Sequence, residues 1–288
     1  MEPKIGIIGG SGLYKMEDLK IEKELDIDTP FGKPSDKIVI GRFQNRLVAF
    51  LPRHSRNHTL PPQAINYRAN IFAFKKIGVE RIISVSACGS FKEELAPLDF
   101  VIPSQFFDRT NFARKMSFFA EEGCVVHVEF SHPVCSELQE VVYKACIEAG
   151  VRVHKGGVYV NMEGPQFSTL AESLFYKKMG FDIIGMTNLP EAKLAREAEI
   201  CYVTLAAVTD YDCWYPEHDS VTAQMVIENL TKNIENAKKI LKILIPIIPV
   251  ERKCKCKDAL RNSIVTHSQN IPQEVKEKLE PIIGKYVK

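Results

Sequence analysis

The chain has almost no net charge. Its 288 residues include 38 Lys plus Arg against 36 Asp plus Glu, a balance of +2. A dedicated nucleic-acid binder usually carries a basic face, so that class is not expected. No apolar run reaches membrane length. The most apolar stretch, Ile243 to Val250, is broken by Pro246 and Pro249 and falls far short of the roughly 20 residues a span requires. Gly and Pro number only 16 each, which excludes collagen-like and low-complexity chains. Neither an internal repeat nor a Ser/Gly linker is visible. The eight cysteines, at 88, 124, 135, 146, 201, 213, 254 and 256, form no C-x-x-C pair, so a zinc knuckle or thioredoxin-type site is not expected. Nor is a secretory leader expected, because Met1-Glu2-Pro3-Lys4 runs straight into a strand-like Ile5 to Ile8. These features predict a cytoplasmic protein whose cysteines are free, buried thiols.

What is present is a folded domain's composition, with 45% hydrophobic and 26% charged residues. Short apolar runs predict strands at Lys4–Ile8, Lys37–Ile40, Leu47–Leu51, Arg81–Ala87, Phe100–Phe106, Gly156–Val160, Ile183–Met186 and Ile200–Val208. Amphipathic runs between them predict helices at Pro62–Ile77, Ser136–Ala149, Thr169–Met179 and Val221–Leu244, with another opening at Asn188-x-x-Glu191. Ser136-x-x-Gln139 and Thr169-x-x-Glu172 have capping-box spacing. The alternation predicts an α/β fold: one domain spanning 1–288, with a central mixed β-sheet flanked by helices. Residues from about 253 to 288 form a Lys-rich appendage, with a short helix from Pro272.

Five segments carry residues suited to chemistry. Gly6-Ile-Ile-Gly9-Gly10-Ser11-Gly12 is a strand followed by a glycine turn, which serves either as an anion cradle or as a tight structural turn. Lys15 stands where a dinucleotide fingerprint needs its third Gly, which argues against a nicotinamide-dependent oxidoreductase. Pro52-Arg53-His54-Ser55-Arg56-Asn57-His58 offers guanidinium and imidazole groups for an anion, or is a solvated basic loop. Ser84 to Ser90 places small residues at the end of a buried strand, where open α/β sheets bind ligands. Cys88 within it reads as a small buried thiol, because nothing nearby activates it as a nucleophile. Asn161 to Thr169 joins Glu163, able to hold a hydroxyl, to Phe167, able to stack on a flat ring; loop packing is the plainer reading. Thr209-Asp210-Tyr211-Asp212-Cys213-Trp214 sets two acids on one side of an extended chain. With no His ligand nearby they suggest no metal site. They suit a nitrogen heterocycle, with one acid kept protonated by its neighbour, or else merely solvate a strand end. Cys254-Lys-Cys256 lies apart from all of these. It can bind a soft metal or enter redox chemistry, as Cys135 and Cys201 can pair in disulfides, but free thiols are expected.

Together, Asn161-Met-Glu-Gly-Pro-Gln-Phe-Ser168 and Thr209-Asp-Tyr-Asp-Cys-Trp214 are highly specific, and with the glycine turn they resemble the trimeric purine nucleoside phosphorylase family over about four fifths of the chain. The resemblance implies phosphorolysis of 5′-methylthioadenosine to adenine and 5-methylthioribose 1-phosphate, in purine and methionine salvage. A 6-oxopurine nucleoside or methylthioinosine phosphorylase is the alternative within the family, and a non-catalytic nucleoside-binding protein is an alternative outside it. It implies a phosphate site at Ser11, Arg53, His54, Ser86, Ala87 and Thr187, with Ser11 and Ser86 where relatives often have Thr. It implies a purine site at Phe167, Asp210 and Asp212, with Asp210 as general acid toward purine N7 and Asp212 assisting, and a ribose contact at Met186. His127 would be lent to a neighbouring subunit's substrate. Val221, Ala223 and Val226 would line an alkylthio pocket, in a loop one residue shorter than in relatives. No cofactor is implied, only inorganic phosphate as co-substrate. The implied partners are a small-molecule nucleoside and phosphate, with no nucleic acid and no membrane, in a homotrimer or dimer of trimers.

Overall fold

The computed structural model describes residues 2–10, 12–13, 15–111, 114–120, 123–216 and 223–287, apart from the side chains at 223 and 225. Eleven strands form one mixed sheet: β1 (Ile5–Gly9), β2 (Leu19–Leu25), β3 (Ile38–Phe43), β4 (Arg46–Pro52), β5 (Arg81–Ser90), β6 (Phe100–Ile102), β7 (Gln105–Arg109), β8 (Val153–Lys155), β9 (Val158–Met162), β10 (Ile183–Gly185) and β11 (Cys201–Asp210). Among the described residues seven α-helices accompany them: α1 (Tyr67–Lys76), α2 (Ser136–Glu148), α3 (Leu170–Lys178), α4 (Asn188–Glu197), α5 (Ala223–Ile247), α6 (Gln273–Lys278) and α7 (Glu280–Ile283).

β5 is the hub. One of its edges pairs in parallel with β11 from Arg81 to Gly89. The other pairs with β1 only as far as Ser84, and with antiparallel β10 from Gly89. Between these two partners, Val85 to Cys88 face a gap in the sheet. Such a gap at the carboxyl end of parallel strands is where ligands reach the backbone of an α/β fold.

Strand alternation supplies the sheet's two faces. Ile5 and Ile7 point into a core with Leu138, Val142 and Ala145 of α2 and Ala237, Leu241 and Leu244 of α5. Ile8 points into a second core with Ile71 and Phe74 of α1 and Ala192 and Leu194 of α4. Gly6 faces α1 so closely that a Cβ there would lie 2.9 Å from Phe74. The segment expected to be an appendage docks on this second core through Leu260, Ile271, Leu279, Ile282 and Ile283, all buried.

The expected α/β architecture, a mixed sheet flanked by helices, is the observed one. Particular elements differ. The expected strand Phe100–Phe106 is two strands, β6 and β7, because Pro103 has no N–H for the ladder. β2, with the sequence LKIEKEL, is almost wholly exposed, and its charges suit a sheet edge; it lacks the apolar pattern by which strands are recognised. The Thr169 capping box is present, with Thr169 and Glu172 bonded reciprocally. Ser136 does not cap α2. Cys135 occupies the cap position, and the Gln139 amide instead donates to the carbonyls of Ile102 and Pro103.

Near the end of α4, the Glu197 carboxylate accepts the Phe118 N–H at 2.7 Å. Burial pushes its carboxyl up from 4.5 to about 7, against that hydrogen bond. A raised carboxyl stabilises the fold fully below its unfolded value, and this contribution is lost as pH rises through the folded one. Relative to Glu197→Gln, the wild type should therefore lose roughly 3 kcal/mol at most between about pH 4.5 and 7. Urea unfolding of both proteins at pH 5 and pH 8 measures it; an unchanged difference would contradict the raised value.

Candidate active site

The glycine turn, the Arg53 loop and the Ser84–Ser90 strand meet at the gap in the sheet. β1 ends beside β4, with Gly9 opposite Pro52, and the Arg53 N–H donates to the Gly9 carbonyl at 2.9 Å. From there the Arg53 side chain turns inward and is 2% exposed. Its Nε donates to Glu191 Oε1 at 2.5 Å, its Nη1 to the Val85 carbonyl at 2.9 Å, and its Nη2 to Ser84 Oγ at 2.6 Å and Glu191 Oε2 at 3.2 Å. Four of its five N–H groups thus have protein acceptors. Glu191 also accepts from Ser84 Oγ and the Tyr202 hydroxyl. The Asn188 amide donates toward Ser84, Tyr202 and Thr204, and its oxygen accepts from Ser86 Oγ at 2.9 Å. Asn188-x-x-Glu191, read from the sequence as a helix opening, is therefore also the buried anchor of Arg53 and Ser86. That role was not legible because every partner is distant in sequence.

Thr187 sits at the N-cap of α4 without a side-chain cap bond, and is buried. Asn161, from β9, caps the helix instead by accepting the Leu189 N–H at 3.0 Å. The N-terminus of α4 therefore opens beside Thr187, and the helix dipole favours an anion there, although the Leu189 N–H is taken and Pro190 has none. Ala87 is on the exposed edge of β5, and its carbonyl is 3.3 Å from where a Cβ on Gly185 would be. That same Cβ would overlap the Tyr159 hydroxyl, so only glycine permits this approach. Ser11 lies outside the described residues.

His54 differs from the simple expectation of a positive imidazole. Its Nδ1 lies 2.7 Å from the Leu60 carbonyl. A carbonyl only accepts, so Nδ1 carries the hydrogen and Nε2 is left as an acceptor. Burial, reinforced by the Arg53 charge, lowers its pKa from 6.5 to about 4. At neutral pH His54 is an uncharged acceptor.

The two acids close the other side. Asp210 Oδ2 accepts from Thr209 Oγ1 at 2.7 Å and Oδ1 from the Asp212 N–H at 2.9 Å. Gly89 makes room for both acids: a Cβ there would be 2.8 Å from Asp210 Oδ1 and 3.5 Å from Asp212 Cβ. Asp212 has φ of +52° and is buried, and Oδ2 has no hydrogen-bond partner among the described residues. Burial pushes its carboxyl up, although the nearby Ser173 and Ser168 hydroxyls oppose this. Cys88, behind Gly89, is buried, and desolvation pushes its thiol well up, which leaves it inert.

Phe167 is 44% exposed, in the loop whose Ser168 carbonyl accepts from Cys213 Sγ, next to Asp212. Met186 is half-buried against Gly164, and its carbonyl accepts from Arg114. Arg114, which the sequence reading passed over, is buried. It pairs with Glu163 at 2.8 Å, so Glu163 is committed to a guanidinium. On α5, Asn229 and Asn233 donate to the carbonyls of Thr209 and Val208. Helical spacing puts half-buried Val226 on that same face, one turn before Asn229. Val221 lies outside the described residues, as does the side chain of Ala223. His127 is not brought to this cluster within its own chain. It is exposed and lines a different cleft, with Arg196 and Ser263.

The family model described as "Phosphorylase superfamily" matches residues 4–246. The chain belongs to the phosphorylase superfamily. It is 56% identical to the S-methyl-5′-thioadenosine phosphorylase of Koribacter versatilis, with 99% of this chain and 97% of that protein aligned. It is 52% identical to the one of Geobacter sulfurreducens over the full length of both. A solved methylthioadenosine phosphorylase from an antarctic soil metagenomic library superposes with a TM-score of 0.93 at 46% identity, covering 98% of this chain and 99% of the other. The Schistosoma mansoni methylthioadenosine phosphorylase in complex with adenine superposes at 0.84 with 36% identity, covering 90% and 96%. The phosphorylase superfamily match ends in α5, so the last 42 residues lie beyond it.

Removing the partner of a buried charge leaves that charge uncompensated. Glu191→Ala should therefore destabilise the protein by about 3–5 kcal/mol. Equilibrium unfolding measures this, and a loss under about 1 kcal/mol would mean that Arg53 is not held in the way the geometry indicates.

Proposed function

We propose that the protein catalyses phosphorolysis of 5′-methylthioadenosine, releasing adenine and 5-methylthioribose 1-phosphate for salvage. The observation that carries this reading is an anion-suited pocket at the β5 gap facing a pair of buried carboxyl groups across Gly89. The sequence and structural likeness to methylthioadenosine phosphorylases supports it.

Phosphate would sit among the glycine turn with Ser11, Ser86, Ala87, Thr187 and the α4 N-terminus, close to Arg53 and His54. As the bond to purine N9 breaks, the sugar gains positive charge at C1′ and the purine gains negative charge. Phosphate in line behind C1′ is both the nucleophile and the counter-charge, so the protein's share is positioning and electrostatics. Phe167 would stack on the base and Met186 would touch the ribose. Asp210 would donate a proton toward N7, with Asp212 beside it on the base edge. Burial already raises the carboxyl of Asp212. An acid pair can accept from a 6-amino group, which favours adenine. Val226, with Val221 and Ala223, would face the methylthio group, and His127 would complete the pocket of a neighbouring subunit in a homotrimer. No described helix is long and apolar enough to cross a membrane; a cytoplasmic location remains part of the proposal.

Free adenine should appear from methylthioadenosine only when phosphate is present. Release without phosphate, or none with it, would refute a phosphorylase. Asp210→Asn should lower kcat/KM for methylthioadenosine by about 100-fold or more while sparing the inosine analogue. Equal losses on both substrates would remove the argument for adenine.

His54 gives a separate expectation. A neutral Nε2 that only accepts is matched to the hydroxyl of a monoprotonated phosphate. Between about pH 5 and 8, phosphate KM should follow the ionisation of phosphate alone. An added inflection near about pH 6.5 would mean that His54 is charged.

A further inference from the structure

Four cysteine sulfurs, of Cys135, Cys201, Cys254 and Cys256, all lie within 4.8 Å of one another. They come from three distant segments. Cys135 is the N-cap of α2, Cys201 opens β11, and Cys254 and Cys256 flank Lys255 in the C-terminal segment. We propose that these four cysteines form a tetrahedral metal site for a thiophilic cation, zinc or iron, which fastens the C-terminal segment to the sheet.

The geometry favours a metal over paired disulfides. The two sulfurs of Cys201 and Cys254 are 3.3 Å apart, against about 2.05 Å in a disulfide. A zinc–sulfur distance of about 2.3 Å gives a tetrahedron with edges of about 3.8 Å. Two disulfides would draw the sulfurs into two separate pairs, whereas here all four lie within 4.8 Å of one another. An all-sulfur tetrahedral donor set selects zinc or iron over hard cations.

The surroundings hold the four residues in place. The Cys135 N–H donates to the Tyr202 carbonyl and the Cys201 N–H to the Glu80 carbonyl, each at 2.9 Å. In the C-terminal segment, the Lys253 N–H donates to Glu137 and Arg252 Nη1 to the Glu199 carbonyl. Cys135 is fixed at the N-cap of the 13-residue α2. Cys135, Cys254 and Cys256 also line a cleft of about 1200 Å³, which gives an ion a way in. Lys253, Lys255 and Arg261 line the same cleft. Arg261 pairs with Asp258, and Lys253 and Lys255, on either side of Cys254, offset part of the double negative charge left when four thiolates bind one divalent ion. On binding, each thiol loses its proton to solvent, and no electron is transferred. The site lies apart from the β5 gap, so it would support the fold and not the chemistry.

The test uses the full chain, purified under reducing conditions. Elemental analysis should find about one zinc or iron per chain. Cobalt exchanged into the site should give the intense visible bands of tetrahedral cobalt–thiolate. A Cys254→Ser/Cys256→Ser double variant should lose the metal and the cobalt spectrum and melt at a lower temperature, while Cys124→Ser should keep one metal per chain. Four reduced thiols that give no such spectrum with added cobalt would overturn the proposal. So would four cysteines found in disulfides with no metal, or metal retained by the double variant. The wild-type metal and cobalt measurements stand even where a variant fails to fold.

Discussion

The ion pair between Arg53 and Glu191 is the constraint on which the rest of the site depends. Both side chains are almost wholly removed from water. Neither charge is tolerable there alone, so the pair fixes the end of β4 against the start of α4. Ser84, Tyr202 and Asn188 satisfy its remaining donors and acceptors, drawing β5 and β11 into the same network. A network in which nearly every polar atom has a partner is rigid. The loop after β4, the edge of β5 and the N-terminus of α4 are therefore held in one register before any ligand arrives.

The second constraint is topological. β1 leaves the edge of β5 at Ser84 and β10 joins it at Gly89. The four residues between lose a strand partner on that side, and a ligand can approach them there. Small side chains follow from this geometry. Gly89 admits the acid pair, Gly185 admits the Tyr159 hydroxyl, and Ser86 and Ala87 leave the backbone within reach. The gap joins the Arg53 loop to the acid pair, so the two groups proposed to serve one reaction face each other across a single strand.

Continuous apolar strands and helical stripes were legible in the sequence because burial on both faces leaves a strong local pattern. β5 and β11 are cases in point. β2 was not, because an exposed edge strand made of Lys and Glu carries no such pattern. The site residues were legible where chemistry concentrates in short motifs, as at Arg53–His54 and Asp210–Asp212. What supports them was not. Glu191 is 138 residues from Arg53, and Arg114 is 49 from Glu163. No local spacing announces such partners. The four cysteines around Cys135 escaped for the same reason: only Cys254-Lys-Cys256 is a local pattern, and the fold alone brings the other two to it.

The structure also changes how charge is used. From sequence, Arg53 and His54 concentrate positive charge for an anion. In the fold the Arg53 charge is balanced by Glu191, and His54 is neutral. The proposed phosphate pocket would instead rest on the glycine turn, Thr187 and the N-terminus of α4, which favour an anion through dipoles. The difference matters for the proposed reaction. A surplus of fixed cations would hold phosphate tightly, but would cancel the negative charge that the forming sugar cation needs and would repel that cation. Dipoles fixed in advance orient phosphate and leave its charge facing C1′, where it stabilises the transition state more than the ground state. On the proposed reaction the buried ion pair would serve catalysis by what it withholds: it would hold a guanidinium near the phosphate for shape while removing most of its net charge from the field.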